Sequence, residues 1–378
     1  MTFKLPSRAD HVGSFLRTKE VIDARDARAA STGSAGALRQ AEDQAIADLV
    51  RWQESLGLKA ITDGEFRRYF FHTDFLLKLA GVEERGGIAK AFKNDQGKDV
   101  HFAPPVMVIT GKVEHDKPIQ RADYEFLAGQ VSPGHMPKVA IPSPTMLHFR
   151  AGRAGIPEDV YPTMDSFYAD VASAYRAEVD DLVQAGCRYI QMDDTNLAYL
   201  CDEGHREDAR KRGVDPDETP RAYAKLINDS FASAPADMIT AIHLCRGNFR
   251  SSWSAEGGYE PVAEIMFNEL DVDAFFLEYD DPRSGDFAPL RFLPKGKTVV
   301  LGLVTTKLGE LESKDDIKRR IDDAAKYADI DQLALSPQCG FASTVHGNDI
   351  TSAQQAEKIR LCVEVAEEVW GSVPATAA

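Results

Sequence analysis

Short apolar runs, each ending in polar residues and most followed by a longer stretch of helical periodicity, recur along the whole chain. They are RADHVGSF, LKAITDGEF, KVAIPSPT, YIQMDDTN, MITAIHLCRG, AFFLEYDD, TVVLGLVTT and QLALSPQCGF. Continuous apolar runs of this length, bounded by turn residues, read as strands covered on both faces. The stretches ALRQAEDQAIADLVRWQESLG, SFYADVASAYRAEVDDLVQAG, ETPRAYAKLINDSFASA, KDDIKRRIDDAAKYA and TSAQQAEKIRLCVEVAEEVWG place apolar residues at helical spacing. Gly57 and Gly186 stand where two of these helices should stop. Eight strands alternating with helices predict an α/β chain of the (β/α)8, or TIM-barrel, class. A doubly wound open sheet is the alternative. It would need a glycine-rich phosphate loop after the first strand, and GSFLRT is not GxGxxG.

A plain barrel takes about 250 residues, and this chain has 378. The surplus is expected from Thr18 to Ala37 and from about 81 to 137. The second piece reads as a strand hairpin inserted between barrel strands 2 and 3, within a single barrel domain spanning 1–378. The hydrophobic share of 43% is enough for a large core. A net charge of −16 argues against nucleic acid or an anionic membrane surface as partner. No apolar stretch approaches the ~18 residues of a membrane span. The five cysteines are odd in number and scattered. With a start, MTFKLPSRADHVGSF, that lacks a long apolar segment, they suggest a reducing cytoplasm. The small, polar tail GSVPATAA is expected to fray.

Chemistry concentrates at the polar ends of the strands, where barrel enzymes carry their active sites. Strand 1 ends near His11 and Ser14, strand 2 at Asp63 and Glu65, and strand 4 at Asp193 and Asp194. Strand 5 ends in the His-x-Cys pair His243 and Cys245. Strand 6 ends in Glu278, Asp280 and Asp281, strand 7 in Thr305, Thr306 and Lys307, and strand 8 at Cys339. Residues two apart on a strand share a face, so His243 and Cys245 can close on one ion. With Cys339 they form a soft ligand set suited to zinc. Glu278 is the natural fourth ligand and, as a harder donor, the one to exchange for an incoming thiol. Any single acid after a strand is more often a helix cap or turn residue, and paired buried cysteines with a core histidine are the plain alternative to a metal site. Four such groups on three strand ends shift the balance. Cys187 and Cys362 read as structural, and Cys201 is open.

As a set, VGSF, DGEFRR, IQMDD, HLC, FLEYDD and SPQCG resemble the catalytic C-terminal barrel of the cobalamin-independent methionine synthase family. The resemblance runs from HVGSF to PQCGF. It implies a short, single-barrel relative, without the duplicated N-terminal barrel of full-length synthases. It further implies zinc on His243, Cys245, Glu278 and Cys339, with a Gly-Ser turn at Gly13 and Ser14, beside His11, holding the substrate amino acid. Glu65 and Asp193 would hold its ammonium group. The activity implied is methyl transfer to a thiol, homocysteine to methionine, with the zinc-bound thiolate as nucleophile. Two positions depart from the family. Lys307 falls where the family carries a histidine on strand 7, and reads as an anion clamp in the catalytic set. His148 in PSPTMLHF falls near the place of a folate-stacking tryptophan. These departures count against polyglutamyl methylfolate as donor. They leave open a corrinoid protein as methyl source, and a thiol alkyltransferase of the epoxyalkane:coenzyme M type. A barrel zinc hydrolase and a non-catalytic metal-binding barrel fit less well.

Overall fold

A computed structural model describes residues 3–87, 90–94, 98–103 and 105–371. Six strands form one parallel sheet in chain order: Val139–Pro142, Tyr189–Asp194, Ile239–Leu244, Ala274–Glu278, Thr298–Val304 and Leu333–Pro337. The remaining two strand positions are short. Ala60–Ile61 pairs in parallel with Met136–Pro137, which leads directly into Val139–Pro142. The first run contributes one parallel bridge, Ala9 to Leu335, rather than a full strand. It is then tied to the second by Phe15 N–H donating to Gly64 O at 3.1 Å and by the Thr62 hydroxyl donating to Gly13 O at 2.6 Å. The chain is thus α/β with its strand positions in the cyclic order of a (β/α)8 barrel. Gly13 and Pro6 keep the first run from extending its ladder, since neither favours regular strand.

Alternation along the strands separates two packed layers. Tyr189, Ile239, Ala241, Ala274, Phe276, Val300 and Ala334 meet inside the ring with Leu5, Val12 and Ala60. Their neighbours Ile190, Ile242, Phe275, Val299 and Leu335 face outward to the helices. The interior also holds a buried ion pair. Lys138 Nζ donates to Asp10 Oδ1 at 3.1 Å and to His11 O at 2.6 Å, and lies 4.1 Å from the centroid of the Phe276 ring.

Between the second and third strand positions the chain does more than make a hairpin. Ala80–Arg85 pairs antiparallel with Val106–Glu114, and Lys90–Lys93 pairs antiparallel with Asp99–Phe102. The helix Arg121–Gln130, which the apolar pattern did not announce, follows. The surplus near the N-terminus is the helix Lys19–Ala29 and the start of Ala35–Ser55, capped by Thr18 and Ser34. Of the polar tail, residues 372–378 lie outside the described part. No described helix is long and apolar enough to cross a membrane.

Candidate metal centre and substrate cavity

Parallel register sets the site. Asp193 lies opposite His243, Leu244 opposite Leu277, and Glu278 opposite Gly302. Neighbouring strands therefore end at nearly one level and deliver their last inward side chains to one place. His243, Cys245, Glu278 and Cys339 converge there, with a ligand atom from each within 4.8 Å of the others and all four buried. The two sulfurs are 3.5 Å apart. His243 Nδ1 lies 3.2 Å from Phe276 O, so that nitrogen carries a hydrogen and Nε2 is the one that would face a metal. His243 Nε2 has no hydrogen-bond partner. Glu278 is held from two sides: the Arg246 backbone N–H donates to Oε1 at 2.9 Å and Gln338 Nε2 to Oε2 at 3.1 Å.

The charges are strongly coupled. Burial alone would lower the His243 imidazole, but Cys339, Asp193 and Glu278 push it up to about 9. The hydrogen bond from Cys245 draws the Cys339 thiol well below the usual range against its burial, with His243 helping. Cys245, donating to Cys339 and buried, goes the other way. A proton-poor Cys339 sulfur beside a protonated His243 ring is a contact that a soft cation can replace by displacing the imidazole proton, and the two sulfurs, one nitrogen and one carboxylate fit zinc.

His243, Cys245 and Cys339 open onto a cavity that Glu65, Asp193 and Ser14 also line. Burial pushes Glu65 up to about 7, with Arg68 opposing and Asp193 adding to the rise. Burial likewise raises Asp193 to about 6, with His243 and Gln191 opposing. Glu65 Oε2 has no partner. Glu65 sits at φ +59°, a left-handed conformation uncommon for a side chain of its size. A Cβ on Gly13 would lie 3.6 Å from Glu65 Oε1, so the Gly-Ser turn packs against this acid. The turn also reaches strand 8. Ser14 Oγ accepts from Ala342 N–H at 3.3 Å, and a Cβ on Gly340 would fall 2.0 Å from that oxygen.

Among the residues singled out in the sequence that do not line this cavity are His11, His148 and Lys307. His11 turns into the wall, Nε2 lying 3.0 Å from Ala60 O, and burial lowers it to about 4. His148 is also pushed down to about 4 by burial, and its Nδ1 contacts the Tyr223 hydroxyl at 2.8 Å. Lys307 is buried and donates to Asn248 Oδ1 and Ser252 O, each at 3.3 Å. Asn248 in turn donates to Gly340 O at 2.8 Å. Lys307 thus braces the Cys245 loop against the Cys339 turn. Cys201 donates to Leu197 O at 3.5 Å and is a packing residue.

The sequence reading missed the cavity's outer wall: Phe70, Phe71, His72, Phe92, Arg150, Tyr199 and Phe249. Apart from Phe92, these follow the strand ends by several residues, in RRYFFH, HFR, NLAYL and GNF. A search of those loops for aromatics beside cations would have found them. Phe92 comes from the inserted segment. Lys93 there exchanges two 2.8 Å backbone hydrogen bonds with Trp253, fastening the insertion over the strand-5 loop.

Residues 8–368 match the family model described as the cobalamin-independent synthase catalytic domain. The uncharacterized protein YxjH of Bacillus subtilis is 44% identical over 97% of this chain and 96% of its own length. The 5-methyltetrahydropteroyltriglutamate–homocysteine methyltransferase of Bacillus velezensis is 26% identical over 92% of this chain, which spans 42% of that longer protein. A solved structure from Listeria monocytogenes, described as a vitamin-B12-independent methionine synthase, superposes with a TM-score of 0.77 at 36% identity, covering 97% of this chain and 98% of that one. The chain belongs to the family of the cobalamin-independent synthase catalytic domain.

Proposed function

We propose that this protein is a zinc-dependent S-methyltransferase that carries a methyl group to a thiol, with homocysteine the acceptor and methionine the product. The observation behind this reading is one cavity shared by three soft ligands and two buried acids. His243 Nε2, the sulfurs of Cys245 and Cys339 and a Glu278 oxygen would hold the ion. Zinc in such a set makes a bound thiol a thiolate at neutral pH and so supplies a nucleophile.

The chain's own groups do the rest. Burial raises both Glu65 and Asp193, Asp193 adds to the rise of Glu65, and a substrate ammonium placed between them favours their ionised forms. Ser14, at the first strand's end, offers a hydroxyl beside them. The aromatic wall keeps water from the sulfur while the methyl carbon is attacked, which prevents the reacting groups from being solvated. Lys307, spent on Asn248 and Ser252, orders the ligand loops and relays no proton to a leaving amine. A donor whose leaving group needs no such proton suits this site better than polyglutamyl methylfolate. A corrinoid partner finds no support in the comparisons. Thiol chemistry of this kind belongs in a reducing cytoplasm, and all five cysteines are free.

Calorimetry with homocysteine tests the reading. The metal-loaded wild type should bind it, and Glu65→Gln should weaken binding by about 1.5–3 kcal/mol, the worth of one charge-assisted hydrogen bond. Equal binding by the metal-free protein and by Glu65→Gln would overturn it.

A further inference from the structure

The cavity is lined by two acids, Glu65 and Asp193, and by a cation, Arg150. Arg150 reaches it from the loop after the third strand, beside His72 from the loop after the second. The guanidinium is satisfied only by neutral groups. Nη1 donates to Pro105 O at 3.0 Å and approaches His72 Nε2 at 3.5 Å, and the Tyr199 hydroxyl is a further partner. Among the described residues, no carboxylate pairs with it. A cation partly withdrawn from bulk water, as Arg150 is, gains from a counter-charge that offsets its desolvation.

His72 supplies a second, independent sign. It is 97% buried and lines the same cavity. Arg150 can only donate, so the nitrogen facing it, Nε2, must be the acceptor. The hydrogen then resides on Nδ1, and Nδ1 has no partner. A cation without a carboxylate and a histidine with an unspent N–H donor therefore line one cavity, together with Phe70, Phe71 and Tyr199. Donors without acceptors are what an anion completes, and a guanidinium beside a flat wall suits a planar carboxylate or a sulfonate.

We propose that Arg150 and His72 form a recognition site for the anionic group, a carboxylate or sulfonate, of a small substrate bound in this cavity. As a description of a substrate, the inference rests on the thiol-methyltransferase reading. As a description of an anion site it does not. The anion has two possible bearers, the acceptor thiol and the methyl donor. In either case the site selects the molecule by its negative charge, while Glu65 and Asp193 select a positive one in the same cavity.

The experiment uses the full-length, metal-loaded protein and two matched ligand pairs, read by calorimetry. Homocysteine is compared with 3-aminopropanethiol, which lacks only the carboxylate. 5-Methyltetrahydrofolate is compared with its glutamate diamide, which differs only in having both carboxylates neutralised. Glutarate alone is the third probe. In the wild type, the carboxylate-bearing member of one pair should bind at least about tenfold more tightly than the partner without it, as one charge-assisted contact requires. Arg150→Gln should erase that preference while changing the carboxylate-free ligand by no more than about twofold. Arg150→Lys should restore part of it, and His72→Gln should reduce it. Loss in the thiol pair assigns the anion to the acceptor; loss in the folate pair assigns it to the donor. Glutarate binding that vanishes in Arg150→Gln, with no binding of either thiol, would keep the anion site and remove the methyltransferase reading. Preferences unchanged in an Arg150→Gln protein with wild-type zinc content and melting temperature would overturn the proposal. So would a wild type that shows no preference in either pair and does not bind glutarate.

Discussion

Two clusters in this molecule have the spacing of a metal site, and only one has its chemistry. His243, Cys245, Glu278 and Cys339 form the first, and His115, Glu178 and Asp181 the second, each with ligand atoms within 4.8 Å of one another. In the second, every strong group is occupied. Glu178 accepts from the backbone N–H groups of Ile119 and Gln120 at 2.8 and 2.7 Å, and its Oε2 lies 2.8 Å from His115 Nε2. It tethers the end of the inserted segment, at the entry to helix Arg121–Gln130, to the long helix Met164–Gln184. In the first, an imidazole nitrogen is unpartnered and the sulfurs find chiefly each other. Proximity alone therefore does not mark a site; donors left unspent by the fold do.

The sharpest way to break this comparison is to empty the first cluster. A Cys245→Ser, Cys339→Ser double variant should fall from about one zinc per chain to nearly none and lose methyl transfer, since soft structural and catalytic sites bind zinc by about 10 kcal/mol or more. Elemental analysis reads the outcome, and full zinc in the variant would remove the assignment. Glu178→Leu should do the reverse. Two buried N–H groups lose their acceptor, so stability should drop by about 3–5 kcal/mol with zinc content unchanged. Denaturant unfolding beside elemental analysis separates the two clusters directly.

A smaller effect sharpens the first cluster. Gln338→Leu takes away the donor on Glu278 Oε2 but none of the ligands. Orienting partners of metal ligands are worth about 10- to 100-fold in affinity, which competition with a chelator would measure. Unchanged affinity would mean that Glu278 needs no brace, or is no ligand. The smallest effect concerns pH. The hydrogen bond to Glu178 raises the His115 imidazole above its usual value, with burial opposing and Asp181 helping. Its stabilisation is therefore complete below the unfolded value near 6.5 and is lost as pH rises through the higher folded value. Thermal melts at pH 6 and pH 9 should differ less in His115→Gln than in wild type, by up to about 1 kcal/mol. An identical pH difference in both proteins would show that the pair carries no linkage.

Much of the fold is legible because apolar runs and helical periods are long and repeated. Tyr189–Asp194 and Thr298–Val304 fall within their runs. The first run was read as a strand and is a single bridge, since backbone pairing there is replaced by contacts through Thr62 and Ser14 side chains that no apolar pattern encodes. The convergence of His243, Cys245 and Cys339 with Glu278 was readable because cysteine and histidine at strand ends are scarce. Lys307 and His11 misled for the same reason: residue type announces capacity, while partners such as Asn248 and Ala60 O are set by tertiary packing. Arg150 went unread because its meaning lies in a missing counter-ion, which only the folded cavity reveals.

The close approach of Gly340 to Ser14 bears on how the chain assembles. Cys339 is positioned by a turn that leans on the first fifteen residues, more than three hundred positions away in sequence. That contact carries a high loop-closure cost and belongs among those formed late in folding. His243, Cys245 and Glu278 can meet within the central strands, whereas the last sulfur takes its place only when the two termini have met. Metal uptake should then trail the formation of secondary structure during refolding, so that a bound ion reports a closed ring.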